Sequence, residues 1–234
     1  MNEINRRFYR TCAEAFSATR ESPWLGWDRI VAGLPGPPRS VLDAGCGNAR
    51  FGAYLAAWLG DGLSYLGLDA SAELLALASR RGDLPSDTTL LERDLVATPC
   101  AEALPHGQHS LVAAFGLLHH VPSFALRREL LRALSERLEP GGHLAVSVWR
   151  FGAFERFRDK EVPFEPPIEV ADLEPGDILL SFGKEASAVR YCHFLDEEET
   201  DRLLAACGLP LLDRFSADGR EGELNDYLVL GRAR

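Results

Sequence analysis

The chain has 234 residues, 46% of them hydrophobic, and a formal net charge of −10. This length and composition allow one sizeable core, so we predict a single domain over residues 1–234. A nucleic-acid-binding protein usually has a basic surface, so the net charge argues against unaided binding to tRNA or DNA. The sequence has no run of 18 apolar residues, no apolar leader and no CxxC pair among its five cysteines. These features predict a cytoplasmic protein without a membrane span, a disulfide framework or a cysteine-based zinc site.

Two short helices are predicted to form an N-terminal cap over residues 1–38. The pair Ser22 and Pro23 is typical of a helix start, and a Pro-Gly-Pro-Pro stretch at 35–38 ends the cap. Strands and helices then alternate, which predicts βαβ units and a parallel sheet. The predicted strands are 40–44, 63–68, 88–92, 110–115 and 143–148, and the predicted helices are 48–59, 71–80 and 124–138.

Residues 150–187 interrupt this alternation. The segment is rich in proline and acidic residues, has no clear periodicity, and offers one short strand at 177–182. We interpret it as an insertion or lid on the ligand-facing side, because long loops in compact domains often cover a site. Strands at 188–194 and 225–233 follow, with a helix from Asp196 to Cys207 between them. The predicted fold is α/β, a Rossmann-like doubly wound and mostly parallel seven-stranded sheet, with N-terminal helices and a long insertion after strand five.

The stretch VLDAGCGNARF at 41–51 contains the strongest chemical signal. A strand is followed by glycines at 45 and 47 and then by a helix start, an arrangement that suits a bound anionic or nucleotide group. A dinucleotide fingerprint would place a third glycine where this chain has Arg50. A structural glycine turn is the alternative, and a nucleotide-binding oxidoreductase is disfavoured by Arg50.

Three acidic residues follow the first three predicted strands in order, at Asp43, Asp69 and Asp94. Ligands of doubly wound sheets bind beyond the carboxyl ends of the strands, so these side chains are expected at one site. Asp69 is placed to accept both ribose hydroxyls of a nucleoside, and Asp94 the exocyclic amine of adenine. Asp43 would orient the glycine loop or reach an ammonium group through water. Helix capping is the alternative role for each residue alone.

This pattern from Ser40 to Val148 resembles the class I S-adenosyl-L-methionine (SAM) methyltransferases. Further segments resemble motifs of the tRNA wobble-uridine carboxymethyl methyltransferases, including the methyltransferase part of their AlkB-fused relatives; they are FSATRESPW (16–24), LLHHV (117–121), LEPGGHLAVSVW (138–149), DILLSFG (177–183) and RYCHFL (190–195). The resemblance implies SAM as cofactor, a carboxylate on a modified uridine as acceptor, and a small zinc-binding partner protein. The chain departs from the motifs at Leu25 and Cys192 and in its acidic insertion.

The cofactor-binding residues that we predict lie in these motifs and at the strand ends; they are Arg20, Trp24, Asp43, Gly45, Gly47, Asn48, Asp69, Ala70, Asp94, Leu95, Phe115 and His119. The predicted catalytic residues are Arg20, His119, Arg190 and His193. A carboxylate acceptor is ionised at pH 7 and needs fixed cations rather than a general base. Arginine can bind a carboxylate through two parallel hydrogen bonds.

Several alternatives remain at this point. Arg190 and His193 are also compatible with surface positions on an amphipathic strand, and His119 and His120 with a base or with structural packing. The histidine pair lacks further ligands at metal-binding spacing, so no metal is predicted. The acceptor is either a tRNA-borne carboxylate or a small metabolite or natural product. A non-catalytic SAM-binding subunit is the remote alternative.

Overall fold

The computed structural model describes residues 1–60, 62–97, 99–183 and 188–233. The helices are α1 (Asn2–Ala18), α2 (Gly26–Gly33), α3 (Arg50–Leu59), α4 (Ala72–Ala78), α5 (Cys100–Ala103), α6 (Phe124–Ser135), α7 (Glu155–Arg158) and α8 (Glu197–Cys207). The strands are β1 (Ser40–Ala44), β2 (Ser64–Asp69), β3 (Asp87–Glu92), β4 (His109–Ala114), β5 (Leu138–Trp149), β6 (Glu161–Val162), β7 (Asp177–Ser181), β8 (Val189–His193), β9 (Leu211–Ala217) and β10 (Asn225–Gly231). Short 3₁₀ turns lie at Leu118–His120, Phe151–Ala153 and Val170–Asp172.

The main sheet has seven strands in the order β3-β2-β1-β4-β5-β10-β9. Its first five strands are parallel, and β10 runs antiparallel to both β5 and β9. The strand order reverses between β1 and β4, so a crevice opens there at the carboxyl ends of the strands. The predicted fold class is confirmed.

Two apolar layers cover the faces of this sheet. One layer contains Trp27 and Ile30 of α2 and Phe51 of α3. The other contains Leu130 of α6 and Leu203 of α8. The central strands are therefore buried on both faces, which explains their nearly continuous apolar sequences.

Local sequence signals account for several helix starts. The Ser71 hydroxyl oxygen accepts a hydrogen bond from the Leu74 N–H, and the Asp196 carboxylate accepts one from the Glu199 N–H. Both caps satisfy backbone groups that the first helical turn leaves free. Both residues stand at the starts of helices predicted from the sequence, at 71–80 and from Asp196 to Cys207. No helix in the described part of the chain is long and apolar enough to cross a membrane.

The strand membership differs from the sequence-based prediction in two places. The predicted strand at 188–194 exists as β8, but it belongs to a separate three-stranded antiparallel sheet in the order β6-β7-β8. The seventh strand of the main sheet is β9, which the prediction missed. It is an edge strand whose Leu211 and Leu212 are exposed, so it lacks the regular inward and outward alternation that marks a half-buried strand.

Two boundaries also change. The short helix α5 lies between the predicted strands 88–92 and 110–115, where no helix was predicted. Strand β5 begins at Leu138, five residues before the predicted strand 143–148. Residues 150–187, predicted as an insertion, supply α7 and two strands of the small sheet in their described part, and this sheet borders the site.

Candidate active site

A cleft of about 670 Å³ opens at the carboxyl end of the main sheet. Its walls come from the loop after β1, the ends of β2 and β4, helix α1 and the small sheet. The cleft has two recognisable halves. The half over the glycine loop holds Asp43, Asp69 and Asp94, and the half beside the small sheet holds Arg190, His119 and several aromatic rings.

The glycine loop is shaped by backbone conformations that favour glycine. Gly45 and Gly47 have φ angles of +75° and +57°. A Cβ atom at Gly45 would lie 3.1 Å from Leu117 Cδ1, whereas one at Gly47 would meet nothing and would project into open space. Gly47 therefore leaves room for a ligand to approach the backbone closely.

Asp69, at the end of β2, anchors this loop. Its Oδ2 accepts a hydrogen bond from the Gly47 N–H at 2.8 Å, and its Oδ1 accepts one from the Ser71 N–H at 2.8 Å. Burial raises the pKa of this carboxyl, while these backbone donors act in the opposite direction. Asp69 thus has a structural role in addition to the predicted contact with ribose, because each carboxylate oxygen can accept a further hydrogen bond.

Asp43, at position four of β1, is buried beneath the loop. The Tyr65 hydroxyl donates a hydrogen bond to its Oδ2 at 2.6 Å. Burial raises the pKa of Asp43 to about 7, although the Tyr65 hydrogen bond opposes the shift. This residue is therefore poised to respond to a cation bound above it.

Helix α1 is joined to the cofactor half of the cleft. Asn2 Nδ2 donates to Asp94 Oδ2 at 3.0 Å, and Asn48 Nδ2 donates to Ser17 Oγ at 2.8 Å. Asp94 Oδ1 meanwhile accepts the N–H groups of residues 96 and 97. The cap helix therefore contacts both ends of the predicted cofactor site.

The remaining predicted cofactor residues also line the cleft; they are Arg20, Trp24, Ala70, Leu95, Phe115 and His119. The Trp24 and Phe115 rings lie 6.5 Å apart, and the Arg50 guanidinium lies 5.0 Å from the Trp24 ring. Arg20 stacks on Phe16 at 3.5 Å. Burial lowers the pKa of Arg20 to about 10, with a further contribution from Arg190.

Arg190 is the most unusual group on the other half of the cleft. Its side chain is buried, with 6% exposure, and its Nε has no hydrogen-bond partner in the part of the chain that the structure describes. No carboxylate among the described residues pairs with it. The guanidinium instead lies 4.9 Å from the Trp149 ring. Cation–π contact compensates only part of the desolvation of a charge, so this site favours an anion.

Two neighbouring histidines line the same half, with ring centres 4.1 Å apart. Burial places the pKa of His119 well below its usual value, and its Nδ1 has no partner in the described part of the chain. His120 Nε2 is 2.8 Å from the Tyr9 hydroxyl, and its Nδ1 is 3.0 Å from the Tyr191 carbonyl oxygen. Burial and Arg190 lower the pKa of His120 to about 3. Both rings are therefore neutral at pH 7.

The location of His193 corrects its predicted catalytic role. It does not line the cleft but lies in an ionic cluster between the small sheet and helices α6 and α8. Its Nδ1 is 2.6 Å from Asp177 and its Nε2 is 2.7 Å from Glu199. Arg127, fully buried, pairs with the same Glu199 at 2.6 Å. Strand alternation is the physical reason, because His193 is three residues from Arg190 and faces the other side of the sheet.

The cleft also contains residues that sequence reasoning did not select, among them Asn5, Tyr9, Lys160 and Phe182. Asn5 and Tyr9 are four residues apart on α1 and therefore share one face. The sequence offered one signal for Asn5, its position beside apolar residues on one face of α1.

His119, His120 and Cys192 bring potential metal-ligand atoms within 4.8 Å of one another. Both ring nitrogens of His120 already contact hydrogen-bonding partners, and the two cations Arg20 and Arg190 lie nearby. We therefore assign no metal to this cluster, and the metal-free site stays a prediction.

A family comparison covers the part of the chain that contains the glycine loop. Residues 42–144 match the model of a family described as a methyltransferase domain. The matched segment runs from β1 into β5 and includes the glycine loop, Asp69 and Asp94. This segment of the chain is similar to a methyltransferase domain. The predicted family, enzyme class and cofactor, a methyltransferase that uses SAM, agree with this match.

Similar proteins extend over different lengths. The mouse tRNA (carboxymethyluridine(34)-5-O)-methyltransferase ALKBH8 is 32% identical over 143 residues, 60% of this chain and 19% of the mouse protein. The chain thus spans about a fifth of the length of that relative. A methyltransferase inferred for Encephalitozoon cuniculi is 25% identical over 207 residues, which cover 88% of this chain and 87% of the relative.

A solved structure supports the fold over nearly the whole chain. The Burkholderia thailandensis 1,6-didemethyltoxoflavin-N1-methyltransferase matches with a TM-score of 0.65 at 19% identity. The match covers 99% of this chain and 88% of the Burkholderia chain. At 19% identity, this similarity is evidence for a shared fold alone.

Proposed function

We propose that this methyltransferase uses SAM to convert a carboxylate into its methyl ester. The observation that carries the proposal is the buried Arg190 guanidinium, which borders the cleft without an acidic partner among the described residues. Leaving a charge buried and unpaired is costly, so such a group is best explained by an anionic ligand. A carboxylate fits the planar guanidinium through two parallel hydrogen bonds.

A second cation strengthens this assignment. Burial lowers the pKa of Arg20, the Arg190 guanidinium is close enough to lower it further, and both side chains line the cleft. Two nearby guanidinium groups repel each other, and a bound anion relieves that repulsion. Arg20 would serve either the acceptor carboxylate or the carboxylate of SAM.

The glycine loop and its acidic neighbours form the proposed SAM site. Asp69 would accept hydrogen bonds from the ribose, Asp94 from the adenine amine, and Asp43 would act on the methionine ammonium through water. Trp24, Phe115 and Leu95 would supply apolar contact, while Gly45, Gly47, Asn48 and Ala70 shape the loop and its surroundings. SAM supplies an electrophilic methyl group on a sulfonium, which is the chemistry that the acceptor half requires.

Methyl transfer to a carboxylate is an in-line displacement. An oxygen lone pair of the acceptor forms the new O–CH₃ bond, the C–S bond breaks, and its electron pair stays on sulfur. The products are a methyl ester and S-adenosylhomocysteine, and no proton needs to be removed. The chain mainly holds donor and acceptor in line, which can contribute roughly 7–11 kcal/mol. His119, neutral and with a free Nδ1, would hydrogen-bond the acceptor instead of acting as an obligatory base.

The proposed acceptor is 5-carboxymethyluridine at the wobble position of tRNA. The motif resemblance supports this choice, as does the name of the mouse relative. The net charge of −10 supports the second candidate, a small carboxylic acid, because tRNA would otherwise require a partner that supplies basic surface. The small activating protein implied by the resemblance would be such a partner.

Methyl-labelled SAM can test the acceptor group directly. We expect label to enter a base-labile ester on 5-carboxymethyluridine or on a small carboxylic acid in a cell extract. Arg190→Ala should lower turnover while SAM affinity, measured by titration calorimetry, stays nearly unchanged. An exposed control, Arg132→Ala on α6, should alter neither quantity. A base-stable N-methyl product would refute the carboxylate assignment.

A further inference from the structure

We infer that Asn5, on helix α1, is a positioning residue that fixes Arg190 for the acceptor carboxylate. This inference rests on the proposed function, because it assumes that Arg190 receives the acceptor. Asn5 does not need to touch the substrate. It acts through the backbone of Tyr191, the residue next to Arg190.

The contact lies at the edge of the small sheet. Strand β8 is hydrogen-bonded to β7 along one side, and no strand of the described residues lies along its other side. At that free edge, Asn5 Oδ1 accepts a hydrogen bond from the Tyr191 N–H at 2.8 Å. His120 Nδ1 lies 3.0 Å from the Tyr191 carbonyl oxygen. Two side chains thus take the place of a neighbouring strand for one residue.

His120 Nδ1 has two neighbours with opposite hydrogen-bonding roles. The Tyr191 carbonyl oxygen, at 3.0 Å, can only accept, whereas Asn5 Nδ2, at 3.2 Å, can only donate. The tautomer of His120 decides which of the two contacts is a hydrogen bond, and the Tyr9 hydroxyl, 2.8 Å from Nε2, donates or accepts accordingly. Asn5 and Tyr9 both lie on α1, so this helix supports the Tyr191 backbone directly and through His120.

Asn5 is buried, with 6% exposure. If its hydrogen bond is lost, the Tyr191 N–H is left unsatisfied. Burial without a partner is unfavourable for a backbone N–H, and β8 would have to shift to reach water. Tyr191 is also held on the far face of the strand, where its hydroxyl donates to Asp177 at 2.6 Å. Tyr191 is therefore fixed at its backbone by Asn5 and at its hydroxyl by Asp177.

Arg190 is sensitive to such a shift because it has no ion pair of its own in the described structure. Its guanidinium is located by the backbone of β8 and by surrounding rings, including Phe8 and Phe16 of α1 at 5.7 and 5.8 Å. Helix α1 therefore contributes both the rings around Arg190 and the hydrogen bond that holds its strand. Small misplacements of a positioning group can strongly reduce turnover.

The experiment compares binding of an acid and its neutral amide. The probes are the nucleosides 5-carboxymethyluridine and 5-carbamoylmethyluridine, titrated into the whole chain saturated with S-adenosylhomocysteine. The ratio of their dissociation constants reports the cation that faces the carboxylate. Asn5→Leu removes the hydrogen bond at similar volume, and Ser17→Ala removes a polar contact of α1 with the other half of the cleft, which goes to Asn48 in the glycine loop. Circular dichroism verifies that each variant is folded.

We expect the wild-type chain to prefer the acid and Arg190→Ala to lose that preference. Asn5→Leu should reduce the preference roughly tenfold, the effect of one hydrogen bond, with affinity for S-adenosylhomocysteine retained. Ser17→Ala should weaken the binding of S-adenosylhomocysteine and leave the preference for the acid unchanged. If Asn5→Leu keeps the full preference while Arg190→Ala loses it, the inference is wrong and the proposed function stands.

Two other outcomes also decide the matter. Loss of fold in Asn5→Leu is resolved with Asn5→Ala, which also removes the acceptor oxygen but introduces no branched side chain, and an unchanged preference in that folded variant again contradicts the inference. If the wild-type chain does not prefer the acid, the carboxylate function fails, and the role of Asn5 fails with it.

Discussion

The Tyr65 hydroxyl donates a 2.6 Å hydrogen bond to Asp43, and both residues are buried beneath the glycine loop. The pair places a titratable carboxyl under the site where SAM is proposed to bind. Burial raises the pKa of Asp43 to about 7 despite the hydrogen bond. A large fraction of the carboxyl is thus protonated near neutral pH when the cleft is empty.

We predict that SAM affinity increases as the pH rises from 6 to 8. SAM carries a sulfonium and an ammonium, and these cations favour the ionised form of Asp43. Binding should therefore release a proton near pH 7. Titration calorimetry in two buffers with different ionisation heats measures that release.

Asp43→Asn is the matched variant, since it preserves size and one acceptor oxygen. Its SAM affinity should lose most of the pH dependence. Glu73→Gln, which alters another acidic residue of the cleft, should retain the pH dependence of SAM affinity in the same titration. Proton uptake on binding, or a pH dependence that persists in Asp43→Asn, would contradict the assignment.

We predict that Asp69→Ala weakens SAM binding by roughly 1.5–3 kcal/mol, the contribution of a hydrogen bond to a charged group. The structure adds a second source for this loss, because Asp69 also holds the Gly47 N–H. NAD should give no binding heat with the wild-type chain. Tight NAD binding together with no SAM binding would contradict the cofactor assignment.

The parts of the fold that were predictable are those with a local sequence signal. Ser71 and Asp196 cap helices, and Gly45 and Gly47 form the turn after β1, because each residue acts within a few positions of itself. The acidic residues at strand ends were grouped correctly at one cleft, since parallel strands end on the same side of the sheet.

The parts that were missed depend on contacts between distant segments. Nothing near His193 in the sequence shows that Glu199 and Asp177 surround it, and its cluster includes an arginine 66 positions earlier, Arg127. Asn5 contacts Tyr191 across 186 residues. Strand β9 lacked a pattern because it is an edge strand with exposed leucines.

We predict that His193 stabilises the fold most strongly at mildly acidic pH. Burial acts to lower the pKa of His193, but the hydrogen bonds to Asp177 and Glu199 outweigh it and raise the pKa above its usual value. A raised pKa gives stability that is fully present below the unfolded value of about 6.5 and is lost as the pH rises through the folded value.

The two acidic partners set the lower limit of this pH window. Burial acts to raise the pKa of both Asp177 and Glu199, but other effects outweigh it and both pKa values are lowered. The largest of these lowering effects is the hydrogen bond from His193. Their contribution is present above the usual carboxyl pKa and is lost as the pH falls through the lowered values. His193→Gln should therefore cost roughly 3–5 kcal/mol near pH 6 and less at pH 8 and above.

Thermal unfolding at several pH values measures this difference. Arg132→Gln is the control, because Arg132 forms an exposed pair with Glu136 and contributes little at any pH. A His193→Gln penalty that grows with pH would show that the histidine is held neutral instead.

We predict weak tRNA binding by the isolated chain, at the weak end of the usual non-specific range of about 10⁻⁴–10⁻⁶ M. Phosphate contacts by arginine and lysine supply most of that affinity, and the net charge here is −10. Residues 1–40 and 121–160 are net positive, but the acidic segment 161–177 leads into β7, which borders the cleft.

Fluorescence anisotropy at two salt concentrations, with and without cell extract, measures this binding. If extract raises tRNA affinity and the gain decreases with salt, a partner protein supplies the missing basic surface. If no condition yields binding while a small carboxylic acid is methylated, the acceptor is that acid. Sub-micromolar, salt-dependent binding by the pure chain would show that local positive surface outweighs the net charge, because each phosphate contact contributes separately to the salt dependence.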